Sequence, residues 1–159
     1  MNIDAKLAAR LQFLARVIAK ESHHLASTDQ RLFTGTTAIK SFANLETDVD
    51  LAERVEAFVG RFSRLQDTLG DKLLPALLSA LGEKTASVMD NLDRAERLGL
   101  IVSAEQWLIM RSLRNQMVHE YVEDTAILEN ALRSGHQFVA ELIAAGEKMT
   151  AEITRHDWL

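Results

Sequence analysis

The chain has no cysteine, a single proline, seven glycines and one tyrosine. Without cysteine, disulfides and thiolate metal centres are excluded, and the chain suits a reducing compartment. One proline and few glycines leave long stretches uninterrupted, and together with abundant Ala, Leu and Glu this favours an all-helical protein. No apolar run reaches the length of a membrane span, and no signal-peptide core precedes a small-residue cleavage site. The expectation is a cytoplasmic chain without membrane contact. Its 159 residues form one domain, large enough to bury a real core.

Basic charge is also in short supply. The net charge of −5 argues against a broadly basic nucleic-acid binder. The excess is local, however: residues 120–159 carry three basic and eight acidic side chains, whereas residues 1–119 are balanced. Between Arg94 and His119 the balance reverses, with Arg94, Arg97, Arg111 and Arg114 against Glu96 and Glu105.

Helical periodicity organises the rest. Ile3, Leu7, Leu11, Leu14, Ile18 and Leu25 recur on one face, which is read as a core-facing helix in preference to a membrane-surface one. His23 and His24 diverge by about 100° on a helix, a poor arrangement for holding one metal ion. Ser27 to Thr47 is read as a connection around Thr34-Gly35-Thr36-Thr37, with a short helix near Ala38–Asn44. Asp48 then caps a helix through Leu51, Val55, Phe58, Val59, Phe62, Leu65 and Leu69, with a kink or fresh start expected near Pro75. Arg61 and Arg64, one turn apart on that helix, could touch RNA, but are read in preference as a solvated face with Asp67 nearby. Thr85 opens the next helix, with Val88, Met89, Leu92, Ala95 and Leu98 inward and Gly99 as its stop. Ser103 and Gln106 form a capping box for a helix that buries Trp107, Leu108, Met110, Leu113 and Met117. A last helix is expected from Thr125 with a core stripe from Ile127 to Ile143, and Arg155 to Leu159 as a frayed or partner-docked end.

Within this frame one stretch gathers chemically capable side chains: Arg114-Asn115-Gln116-Met117-Val118-His119-Glu120-Tyr121. Arg111, Asn115 and His119 form an i, i+4, i+8 line beside Arg114. On a straight helix Arg114 and Tyr121 project within roughly 20° of each other, but Arg114 and His119 diverge by roughly 140°. Either the helix ends or distorts near Val118, or a second copy of the chain completes the cleft. By residue type alone, the stretch also reads as an ordinary helix end, where Arg and His favour the negative terminus and Tyr packs its ring.

Arg114-x4-His119-x-Tyr121, with Asn115 after the arginine and an apolar residue before the histidine, resembles the signature of the HEPN superfamily. More narrowly, it resembles the HEPN toxins paired with minimal nucleotidyltransferase antitoxins. The likeness covers roughly Asp48 to Glu152. It implies an all-α antiparallel bundle, with a four-helix core over residues 48–154 and an N-terminal helical extension over residues 1–47. It implies a homodimer that cleaves RNA with Arg114 and His119 as catalytic residues, assisted at the substrate by Asn115 and Arg111. Neither a metal nor another cofactor is implied, and no Asp/Glu/His cluster suggests a metal site. In the toxins that the chain resembles, the partner antitoxin adenylylates the motif tyrosine, here Tyr121. The chain lacks the Gly-Ser and paired-Asp pattern of a nucleotidyltransferase, so it would be the acceptor of that modification. The alternative is a non-catalytic HEPN module that presents a nucleotide or substrate to such a partner.

Overall fold

The computed structural model describes residues 2–120 and 124–158, and among them the fold is all-helical, without strands. Among the described residues six α-helices follow one another: α1 (Ala5–Phe33), α2 (Val49–Asp67), α3 (Leu74–Ala80), α4 (Val88–Arg97), α5 (Ala104–Glu120) and α6 (Thr125–Arg155). Except for α3, which continues from the segment before it, their starts are set by side-chain caps that satisfy free backbone donors. Asp4, Asp48, Ser87 and Asp124 each accept from the first turn of α1, α2, α4 and α6. Ser103 Oγ accepts from Gln106 N at 3.1 Å at the head of α5. The cap of α6 is thus Asp124 and not Thr125, because a carboxylate reaches both Ala126 N and Ile127 N.

Cross-helix contacts fix the directions. Asp29 of α1 meets His136 of α6 at 2.6 Å, and Gln12 donates to the carbonyl of Trp158 at 2.7 Å, so α1 and α6 run antiparallel. Arg61 of α2 reaches His24 and Thr28 of α1, while Arg54 reaches Arg31. Those two helices are antiparallel as well. Asp67 meets Arg114 and Gly70 lies on Trp107, which makes α5 antiparallel to α2. The four long segments α1, α2–α3, α5 and α6 therefore alternate in direction around one core, and α4 bridges α3 and α5. α1 is a full member of that bundle: Leu11, Leu14, Ile18, Leu25 and Leu32 are buried in it. Each such side chain contributes about 1.5–3 kcal/mol of burial.

Two glycines of α6 set how closely its neighbours approach. A Cβ on Gly135 would overlap Met117 Cε, and one on Gly146 would lie 3.0 Å from Ile18 Cγ2. Met117 thereby packs flat on α6 beside Phe58 and Phe62, which anchors the C-terminal half of α5.

Several local expectations change. α1 continues to Phe33, through Ser27-Thr28-Asp29, because Thr28 and Asp29 are engaged by Arg61 and His136. No helix forms over residues 38–44; Arg54 instead satisfies the carbonyls of Arg31 and Thr37, and Phe42 plugs the core. Near Pro75 the chain neither breaks nor restarts. It widens into a π-helical segment, Thr68–Leu73, and continues as α3. A proline lacks the N–H that an α-turn requires and its ring crowds the carbonyl four residues back, so a wider preceding turn relieves both conflicts. Gly70 lets this turn rest on Trp107, with its Cβ position 3.2 Å from Nε1. On α4 only Asn91, Leu92 and Ala95 are buried, while Val88, Met89 and Leu98 are exposed. Within the described part of the C-terminal segment, Trp158 is buried against the chain's own α1 and stacks on His156, in place of the expected frayed or partner-docked end. There Arg155 holds the Glu152 carboxyl below its usual range by a hydrogen bond, against the effect of burial. That small contribution is present at neutral pH and disappears as the pH falls through the carboxylate range.

Candidate functional site

Residues 114–120 of the motif occupy the last two turns of α5, which remains α-helical through Glu120. Leu113 and Met117 face the core, and this rotation determines where the polar residues point. Arg114 leans back across the bundle to the end of α2, where its Nη2 donates to Asp67 Oδ2 at 2.9 Å. Its Nη1 donates to Asn115 Oδ1 at 3.2 Å, while Nε is buried without a partner. Arg111, Asn115 and His119 are all exposed, in line on the outer surface of α5. Among the described residues His119 makes no hydrogen bond or ion pair.

Of the residues singled out, the fold brings together Arg114 and Asn115, and it sets Arg111 and His119 on the same exposed line. It does not bring Arg114 and His119 together. Because the helix neither ends nor distorts at Val118, the two side chains leave α5 about 140° apart. Tyr121 lies outside the described residues.

Asp67 is the residue that the sequence reading missed as a member of this site. It stands 47 positions before Arg114 in the chain, and no local pattern links them. The expected association of Asp67 with Arg61 and Arg64 does not form: Arg61 bonds Thr28 Oγ1 and the His24 carbonyl, and Arg64 bonds the Gly60 carbonyl. Beside Asp67, the amide of Gln66 is buried with no protein partner. It lines a cavity of about 10 Å³ with Gly70, Trp107 and Arg111, a space suited to one bridging water.

Chemically, Asp67 fixes one edge of the Arg114 guanidinium, and Asn115 fixes the other terminal nitrogen. The pair is only partly screened from water, with side-chain exposures of 27% and 41%. Asp67→Ala should therefore cost at most about 1 kcal/mol, and thermal unfolding would show a midpoint shift of a few degrees. A much larger loss would mean that the pair holds α2 and α5 together.

No group of three or more His, Asp or Glu residues among the described residues is placed to hold a metal ion. No helix among them is long and apolar enough to cross a membrane. Compared with known proteins, the chain matches no family model, no curated protein and no solved structure.

Proposed function

We propose that the chain is a homodimeric, metal-independent endoribonuclease of the HEPN type, the toxin of a toxin–antitoxin pair. The observation that carries this reading is the division of labour along an unbroken α5. Arg114 is oriented by a carboxylate from α2 and His119 is exposed on the outer surface, so one helix cannot direct both at one phosphate. An isologous contact through α5 brings the arginine of one protomer to the histidine of its partner.

In that cleft His119 takes the proton of a ribose 2′-hydroxyl. The 2′-oxygen attacks phosphorus, the bond to the 5′-oxygen breaks, and the departing oxygen recovers a proton. Arg114 stabilises the negative charge that grows on the phosphoryl oxygens, through charge-assisted hydrogen bonds from a pre-oriented guanidinium. Arg111 and Asn115, on the same exposed line as His119, hold flanking phosphates. The products are a 2′,3′-cyclic phosphate on the 5′ fragment and a free 5′-hydroxyl on the other. Purified chain incubated with RNA in a chelator tests this: those two end groups are expected, and intact RNA would contradict it.

Control follows from Tyr121, seven residues after Arg114. A partner nucleotidyltransferase that adenylylates its phenol places a phosphate beside the site and repels the RNA backbone. Intact-mass measurement after incubation with the partner, ATP and magnesium should show adenylate on the wild type and none on Tyr121→Phe. Equal increments on both would place the modification elsewhere.

One observation favours a second reading, a non-catalytic module that presents a nucleotide to that partner. Asp67 already neutralises Arg114 in the single chain. Binding of RNA without cleavage, at any dimer concentration, would select it.

A further inference from the structure

A second polar constellation lies between α1 and α2, away from the α5 motif. Glu21 and His24, one turn apart on α1, face Arg61 and Arg64, one turn apart on α2, around a notch of about 230 Å³. Neither arginine forms an ion pair among the described residues. Arg61 is held in place through Nη1, which donates to Thr28 Oγ1 and to the His24 carbonyl at 3.3 Å. Its Nε and Nη2 remain available. Arg64 donates Nε to the Gly60 carbonyl at 3.2 Å and lies over that glycine, leaving both Nη groups available. Two guanidiniums a turn apart repel each other unless an anion bridges them, and their planar forks match phosphate oxygens. The surroundings add to the attraction: α1 carries five Lys or Arg against two acidic residues, in a chain of net charge −5.

Glu21 gives the notch a second requirement. Its Oε1 is buried without a hydrogen-bond donor, and it makes no ion pair with the adjacent arginines. A carboxylate beside a phosphate site is satisfied by a hydroxyl donor, and a ribose supplies one next to its phosphate. The geometry points to a ribose-phosphate site, with Arg61 and Arg64 on the phosphate, Glu21 accepting from a ribose hydroxyl and His24 at the rim. The unit comes from an RNA backbone or from a free ribonucleotide. Asp67 lies one turn beyond Arg64 on α2, so a strand seated in the notch runs toward Arg114. The site itself involves neither Arg114 nor His119, and its occupancy is independent of cleavage.

The test is binding by the His119→Ala chain, in chelator, to short oligouridylate, its 2′-deoxy counterpart, AMP and 2′-deoxy-AMP. Arg64→Ala should weaken RNA binding on the order of 10-fold and reduce the slope of log affinity against log salt by about one. Gly60→Ala places a methyl 3.2 Å from Arg64 Nη2. It should displace the guanidinium and weaken binding while raising the unfolding temperature, because alanine favours the helix. Glu21→Gln should leave deoxy affinity intact or higher and remove the preference for ribose. Arg61→Ala also removes a tether to α1, so Arg64 and Gly60 carry the test if that variant fails to fold. RNA binding without AMP binding assigns the notch to a backbone, and comparable AMP binding assigns it to a free nucleotide. Wild-type affinity in both Arg64→Ala and Gly60→Ala, or an undiminished ribose preference in Glu21→Gln, overturns the proposal.

Discussion

Replacing His119 with alanine is expected to slow RNA cleavage by on the order of 10²-fold or more, the usual contribution of a positioned general acid or base. Arg114→Ala should cost a similar factor, as loss of a pre-oriented donor to a growing oxyanion does. The two substitutions differ in what else they disturb. His119 is exposed and makes no hydrogen bond or ion pair among the described residues, so its removal should leave unfolding unchanged. Arg114 also holds Asp67 at 2.9 Å, so its removal lowers stability by up to about 1 kcal/mol. Activity lost without stability in the first case, and far out of proportion to stability in the second, identifies chemistry as the cause. Wild-type cleavage by His119→Ala would assign any activity to other residues.

Phe62→Ala should destabilise the chain by about 3–5 kcal/mol, a large share of the roughly 5–15 kcal/mol that keeps a domain folded. Phe62 is fully buried, stacks with Phe58 at 5.8 Å between ring centroids, and borders the space where Met117 meets Gly135. Its removal opens a cavity under the motif helix that the close α5–α6 approach cannot collapse without moving Met117. Urea unfolding should show a lower midpoint with an unchanged slope. By contrast, Leu98→Ala falls on an exposed residue and should stay within about 0.5 kcal/mol. A small effect at Phe62 would mean that the bundle does not depend on this packing.

The helices were legible in the sequence where local chemistry decides them. Asp48 and Ser103 cap as their side chains predict, Gly99 ends α4 at a φ of 75°, and the stripes of α2 and α5 lie inward. Legibility failed where a distant partner decides. Ser27-Thr28-Asp29 looks like a helix stop until Arg61 and His136 engage it. Val88, Met89 and Leu98 have the spacing of a buried face, but the short α4 covers the bundle with Asn91, Leu92 and Ala95. Trp158, at a polar C-terminus, carries no sign that α1 will bury it. At the candidate site the angular mismatch of Arg114 and His119 is a property of helix geometry, and it was visible from spacing. The Asp67 tether was not, since it depends on how α2 and α5 pack.

The account depends on Arg114 and His119 serving one phosphate from two chains, and subunit exchange between inactive variants measures this directly. Arg114→Ala and His119→Ala homodimers should each be nearly inactive. When they are mixed and allowed to exchange, half of the dimers are mixed, and each mixed dimer has one cleft with an intact arginine and an intact histidine. About a quarter of the clefts, and hence of the wild-type rate, should return. If exchange is complete, as shown by mass, and no activity returns, the two residues do not act across the dimer, and the account is contradicted.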